Sequence, residues 1–192
     1  MTELSKLEVA QRQLVTAIRL FLQDDEPVSI YTLASNAWEV IDALCTERGI
    51  DSISNETRGH IPAHKDLKRH YINDPYRNFF KHADRDFDEI LGGFDDTKND
   101  AVLFLAAEDY MRMQNKSPVE FQVYQLWFLS LNVDKIAPGD MEDVMGNIER
   151  HLPRIENMSR TEQKKMGQEL LAEAWADEDL AKHPKVEIPI RS

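Results

Sequence analysis

Cysteine is nearly absent from this sequence. Of 192 residues only Cys45 is a cysteine, which excludes a disulfide framework within one chain. It stands at the end of "EVIDALC", an apolar helical stretch where its expected role is that of a small core hydrophobe. Glycine is scarce as well, with 7 residues, and no Gly-rich phosphate loop, nucleophile elbow or CxxC pair occurs. Long hydrophobic runs are missing: nothing approaches the roughly 20 apolar residues that a bilayer span needs. The start "MTELSKLEVAQRQ" lacks the apolar core of a signal peptide, so the expected compartment is the cytoplasm, with no membrane partner. Basic charge is the last shortage. Lys and Arg total 23 against 35 Asp and Glu, a net charge of −12. Such a field opposes non-specific attraction to a polyanion, and nucleic-acid binding then requires a local basic pocket.

What is present is the composition of a soluble globular protein, 42% apolar and 30% charged, in a chain long enough for one compact unit with a sizeable core. From residue 4 to about 23, Leu7, Leu14 and Phe21 recur with Ala10, Ala17 and Ile18 between them, the 3.6-residue period of an amphipathic helix. A second helix is expected from "DDEPVS" to Gly49, with Pro27 in its first turn and Gly49 as the C′ residue. The link is short, so the pair is expected to form an antiparallel hairpin. Residues 50–63 have no apolar period and read as a loop. "HKDLKRHY" reads as a short helix ending at Asn73-Asp74. Asp74 as N-cap and Pro75 at N1 then begin a new helix. Further helices are expected over residues 99–114, after a capping box of Ser117 with Glu120, over residues 140–152, and after a second capping box of Ser159 with Glu162. Tyr124, Trp127 and Phe128 are expected in the core or at a dimer interface.

The fold class is therefore all-α, an antiparallel helical bundle with additional C-terminal helices. Residues 1–131 form the bundle, 132–178 a helical extension packed on it, and 179–192 an extended tail.

Chemistry is carried by "RNFFKHADRD", Arg77 to Asp86. An arginine in the first turn of a helix opposes the helix dipole, but free backbone N–H groups and a guanidinium fork together suit a phosphate oxygen. His82 adds a group that exchanges protons near neutral pH. A phosphate clamp with an acid–base group is what RNA cleavage needs when the 2′-hydroxyl is the nucleophile, and no metal or cofactor is then required. Five residues of helix place the two side chains about 140° apart around the axis. A two-fold axis beside this helix would bring two copies of each into one cleft, so a homodimer is expected. Lys68, Arg69, Lys81 and Arg85 surround the pair with positive charge usable for RNA phosphates.

The segment Arg77-Asn78-Phe79-Phe80-Lys81-His82 resembles the R-x4-6-H signature of HEPN domains. These are helical bundles, commonly dimeric, and many are metal-independent endoribonucleases. The resemblance implies Arg77 and His82 as the catalytic pair, Asn78 in positioning RNA or partners, single-stranded RNA as substrate and a cognate protein as a further partner. The longer "NFFKHADRD" is similar to a stretch in uncharacterised bacterial helical proteins. The competing reading makes Arg77 an ion-pair partner of Asp74 or Asp84, His82 a hydrogen-bonded residue near a helix end, and Phe79 and Phe80 core anchors. The chain is then a non-enzymatic helical dimer, a protein-interaction or regulatory module. No metal site is expected. "DRDFDEILGGFD" has Glu89 where a calcium loop needs Gly, and His60 and His64 are separated by Pro62 without a third ligand.

Overall fold

A computed structural model describes residues 3–82, 84 and 87–187 of the chain. The first helix, α1 (Lys6–Leu22), opens on a capping box: Glu8 N–H donates to the Ser5 hydroxyl at 3.2 Å and Ser5 N–H to the Glu8 carboxylate at 2.7 Å, satisfying two donors that a helix start leaves free. Leu14, Ala17, Ile18 and Phe21 are fully buried along one face. A tight turn follows, with Asp24 in the left-handed region at φ 57°. The second helix, α2 (Pro27–Glu47), has Pro27 at its first position and Glu26 as N-cap, accepting from the N–H groups of Val28 and Ser29. It ends as the sequence implies: Gly49 takes φ 64°, and Ile50 N–H reaches back to the Cys45 carbonyl at 2.9 Å, a Schellman-type closure. The two helices pack along each other as a hairpin.

Two expectations fail next. Residues 50–63 are not all loop: α3 (Ile53–His60) forms, capped by Ser52. Its helicity comes from tertiary bonds rather than an apolar stripe. Trp38 donates its indole N–H to the Ser54 hydroxyl at 2.9 Å, Ser54 N–H donates to Asp109 at 3.2 Å, and Arg58 reaches Asp42 at 2.6 Å. Nor does a helix break at Asp74-Pro75. Residues Leu67–Arg77 form one π-helical segment, capped by Asp66 and continuous with α4 (Asn78–Lys81). Asn78 N–H bonds to the Asn73 carbonyl five residues back, and the wide turn takes Pro75 inside the helix. Asp74 therefore does not cap; its carboxylate accepts from the Asn78 side chain at 3.0 Å.

The remaining core is built by α5 (Asn99–Met113) and α6 (Val119–Leu131), with Tyr124, Trp127 and Phe128 buried as expected. The expected box at Ser117 does not form. Ser117–Pro118 is instead a short strand, β1, parallel to β2 (Val186–Glu187), and Glu120 is fully buried, bonded to Arg19 at 2.9 Å from Nε. After α7 (Met141–His151), the Ser159–Glu162 box does open α8 (Arg160–Ala176). This helix packs on α1 and α6. Part of the expected tail is helical, α9 (Glu178–Ala181), before the chain turns extended at β2. No helix among the described residues is long and apolar enough to cross a membrane.

Candidate functional site

Arg77 is the last residue of the π-helical segment and lies against α2. The segment is seated there by buried Leu67 and Ile72, by the Tyr31 hydroxyl donating to the Ile72 carbonyl at 3.0 Å, and by an aromatic cluster. In that cluster Tyr31 meets the edges of Tyr76, Phe80 and Phe94 at 5.4 to 6.0 Å between centroids. Phe80 is thus a core anchor, while Phe79 is half-buried and touches Phe80.

Seated in this way, the Arg77 side chain is only 12% exposed. One terminal nitrogen, Nη1, donates to Glu39 and to Asn73 Oδ1 at 3.2 Å; the other, Nη2, donates to Asn36 Oδ1 at 2.7 Å. Its Nε is buried without a partner among the described residues. Glu39 also receives Lys68 at 2.5 Å. Burial opposes ionisation of Glu39, but the hydrogen bonds from Lys68 and Arg77 prevail and hold its carboxyl below the usual value. Two cations of the expected basic patch therefore converge on one carboxylate. A third, Arg69, is exposed and reaches Asp74 at 3.4 Å.

His82 lies beyond the end of α4, with φ −124° and ψ 72°, its ring about one-third exposed and its Nδ1 3.8 Å from Asp84. Among the described residues Arg77 and His82 share no hydrogen-bond or ion-pair partner. Arg77 lines a groove of about 560 Å³ whose walls include Val9, Val40 and Leu44, and His82 is not among its lining residues. Asn78 is bound to Asp74, Lys81 is exposed, and Arg85 lies outside the described residues.

The partners that fix Arg77 were not singled out in the sequence. Asn36 and Glu39 lie about forty residues upstream, and their signal is no more than a polar pair three residues apart on α2. Asn73 sits where a helix end was expected. A second buried polar cluster was equally silent: Asp42 of α2 and Asp109 of α5 each keep one carboxylate oxygen buried and unpartnered among the described residues. Burial pushes the Asp109 carboxyl up to about 6, and the Cys45 thiol beside it up to about 11. No group of three or more His, Cys, Asp or Glu side chains suited to a metal ion occurs among the described residues. Comparison with protein-family models, with curated proteins and with solved structures gives no match to this chain.

Proposed function

We propose that the chain is a non-enzymatic helical module that acts through self-association and contact with other proteins, and that Arg77 is a structural pin within it. The observation that carries this reading is the closed set of acceptors around the guanidinium: Glu39, Asn36 and Asn73. A phosphate oxygen would have to displace an intramolecular carboxylate already fixed in place, and the fork geometry that makes arginine a phosphate ligand is occupied. The surface offered to a partner is the groove between α1 and α2. Val9, which is 39% exposed, contributes to its apolar lining with Val40 and Leu44, and Lys6 and Glu39 give it both signs of charge. Apolar surface with both charges suits a two-fold interface, where one patch must complement itself. Light scattering tests this. The wild type is expected at twice the chain mass at micromolar concentration and Val40→Glu at the chain mass, with an unchanged helical spectrum. A wild-type monomer removes the self-association.

A second reading retains metal-independent cleavage of single-stranded RNA at a dimer cleft, with Arg77 holding phosphate and His82 moving a proton. It is favoured by one observation, the Arg77 Nε that is buried without a partner among the described residues, on a side chain that lines an open groove. It requires cleavage in EDTA that His82→Ala abolishes without changing the solution mass.

A further inference from the structure

We propose that the cavity bounded by α3, α5, α6 and α7 binds a small organic cation with a flat apolar body. It shares no residue with the groove beside Arg77 and measures about 590 Å³, within the usual range for small-molecule sites. Phe104 and Phe128 line it as a stacked pair, 4.1 Å between centroids and 18° between planes. Phe104 is only partly buried, so its ring offers a planar apolar contact, and an aromatic face also attracts positive charge.

The sign of the ligand follows from which charges in the lining are already matched. Glu108 accepts from Arg112 at 3.0 Å and from Gln125 at 2.6 Å. Arg112 is further held by Glu56 and by the Asp51 carbonyl. Lys135 lies 3.6 Å from Asp134 and 3.3 Å from the Asn132 side chain. What remains are Asp140 and Asp143, both exposed, both lining the cavity, and neither in an ion pair among the described residues. Asp140 occupies the N-cap position of α7 without accepting a capping bond from it. An acidic first turn is favourable at any helix start, but Glu142 supplies that without entering the lining. Two unmatched carboxylates beside an apolar, aromatic wall select a cation, and the chain's net charge of −12 raises the local concentration of cations,.

Calorimetric titration with proflavine, a flat aromatic cation, tests the proposal, with 8-anilinonaphthalene-1-sulfonate as a flat anion for comparison. Saturable binding of one proflavine per chain is expected, at least ten times tighter than the anion. The double variant Asp140→Asn with Asp143→Asn is expected to bind proflavine about 5- to 10-fold more weakly, the worth of two partly screened ion pairs, with the helical spectrum intact. Ala101→Trp, at an exposed position of the lining, is expected to block binding with the helical spectrum intact. Absence of saturable binding, equal affinity for the anion, or undiminished binding by the double variant overturns the proposal. The double variant decides the matter even if the tryptophan variant does not fold.

Discussion

A guanidinium presents its donors in a rigid fork, and Arg77 distributes that fork over three side chains drawn from α2 and the π-helical segment. An ammonium at the same place is a point charge and cannot span all three acceptors. Arg77→Lys is therefore expected to lower stability by about 2 kcal/mol, since buried amide and carboxylate groups lose partners. His82→Ala, at a partly exposed helix end, is expected to stay within about 0.5 kcal/mol; urea unfolding of the two variants compares them directly. Equal costs would contradict the division of roles. Asp109 gives a prediction of a different kind. Burial raises its carboxyl to about 6, the Ser54 bonds oppose that shift, and the charge of Asp42 adds to it. A carboxyl with a folded value above its unfolded one, about 3.9, adds stability that is complete below about pH 4. That contribution is lost as pH rises through about 6. The loss is on the order of 3 kcal/mol by pH 8. Asp109→Asn keeps the acceptor for Ser54 and is expected to be more stable than wild type at pH 8, with a flatter profile between about pH 4 and pH 7,. Parallel melting profiles for the two proteins would contradict it.

The elements that could be read from the sequence are those whose signals are local. Pro27 after Glu26, Gly49 at φ 64° and Ser159 with Glu162 sit where their chemistry implies. What could not be read depends on contacts distant in sequence. The short helix α3 is held by Trp38, Asp42 and Asp109, and the capping pattern at Ser117 gives way to strand pairing with Val186 and to the burial of Glu120 against Arg19. Proline misled for a physical reason: it disrupts an α-helix, whereas the π-helical segment runs through Pro75. For the candidate site, Arg77 and His82 were legible as a pair of residue types, but two of the three acceptors that occupy Arg77, Asn36 and Glu39, lie on another helix. Close packing between elements leaves its own mark at Gly167 of α8. A Cβ there would meet Leu22 Cδ2 at 2.8 Å and Trp127 Cδ1 at 2.9 Å, both on fully buried side chains. Gly167→Ala is expected to destabilise by about 1–2 kcal/mol despite the better helix propensity of alanine. Thermal unfolding checks this, and a raised melting temperature would contradict it.

At the scale of the molecule, α8 is tied to the bundle by charge as well as by packing. Lys164 is fully buried, 2.8 Å from Asp24 in the turn between α1 and α2 and 2.5 Å from Asp96 before α5, with its ammonium over the Phe21 ring at 4.4 Å. Arg160 adds Asp96 at 2.8 Å and a bidentate pairing with Asp100. One lysine thus links the first hairpin, the centre of the chain and α8. Lys164→Ala leaves Asp96 without that partner and is expected to cost about 3 kcal/mol in a single cooperative transition. Separate unfolding of a C-terminal part would show that the extension does not share the core. The same architecture frames the central claim, that the Arg77 to His82 stretch pins helices together rather than cleaving RNA. The direct measurement is incubation of the purified protein with end-labelled single-stranded RNA in EDTA, beside His82→Ala. The account predicts RNA left intact by both proteins; cleavage by the wild type that disappears in His82→Ala would contradict it.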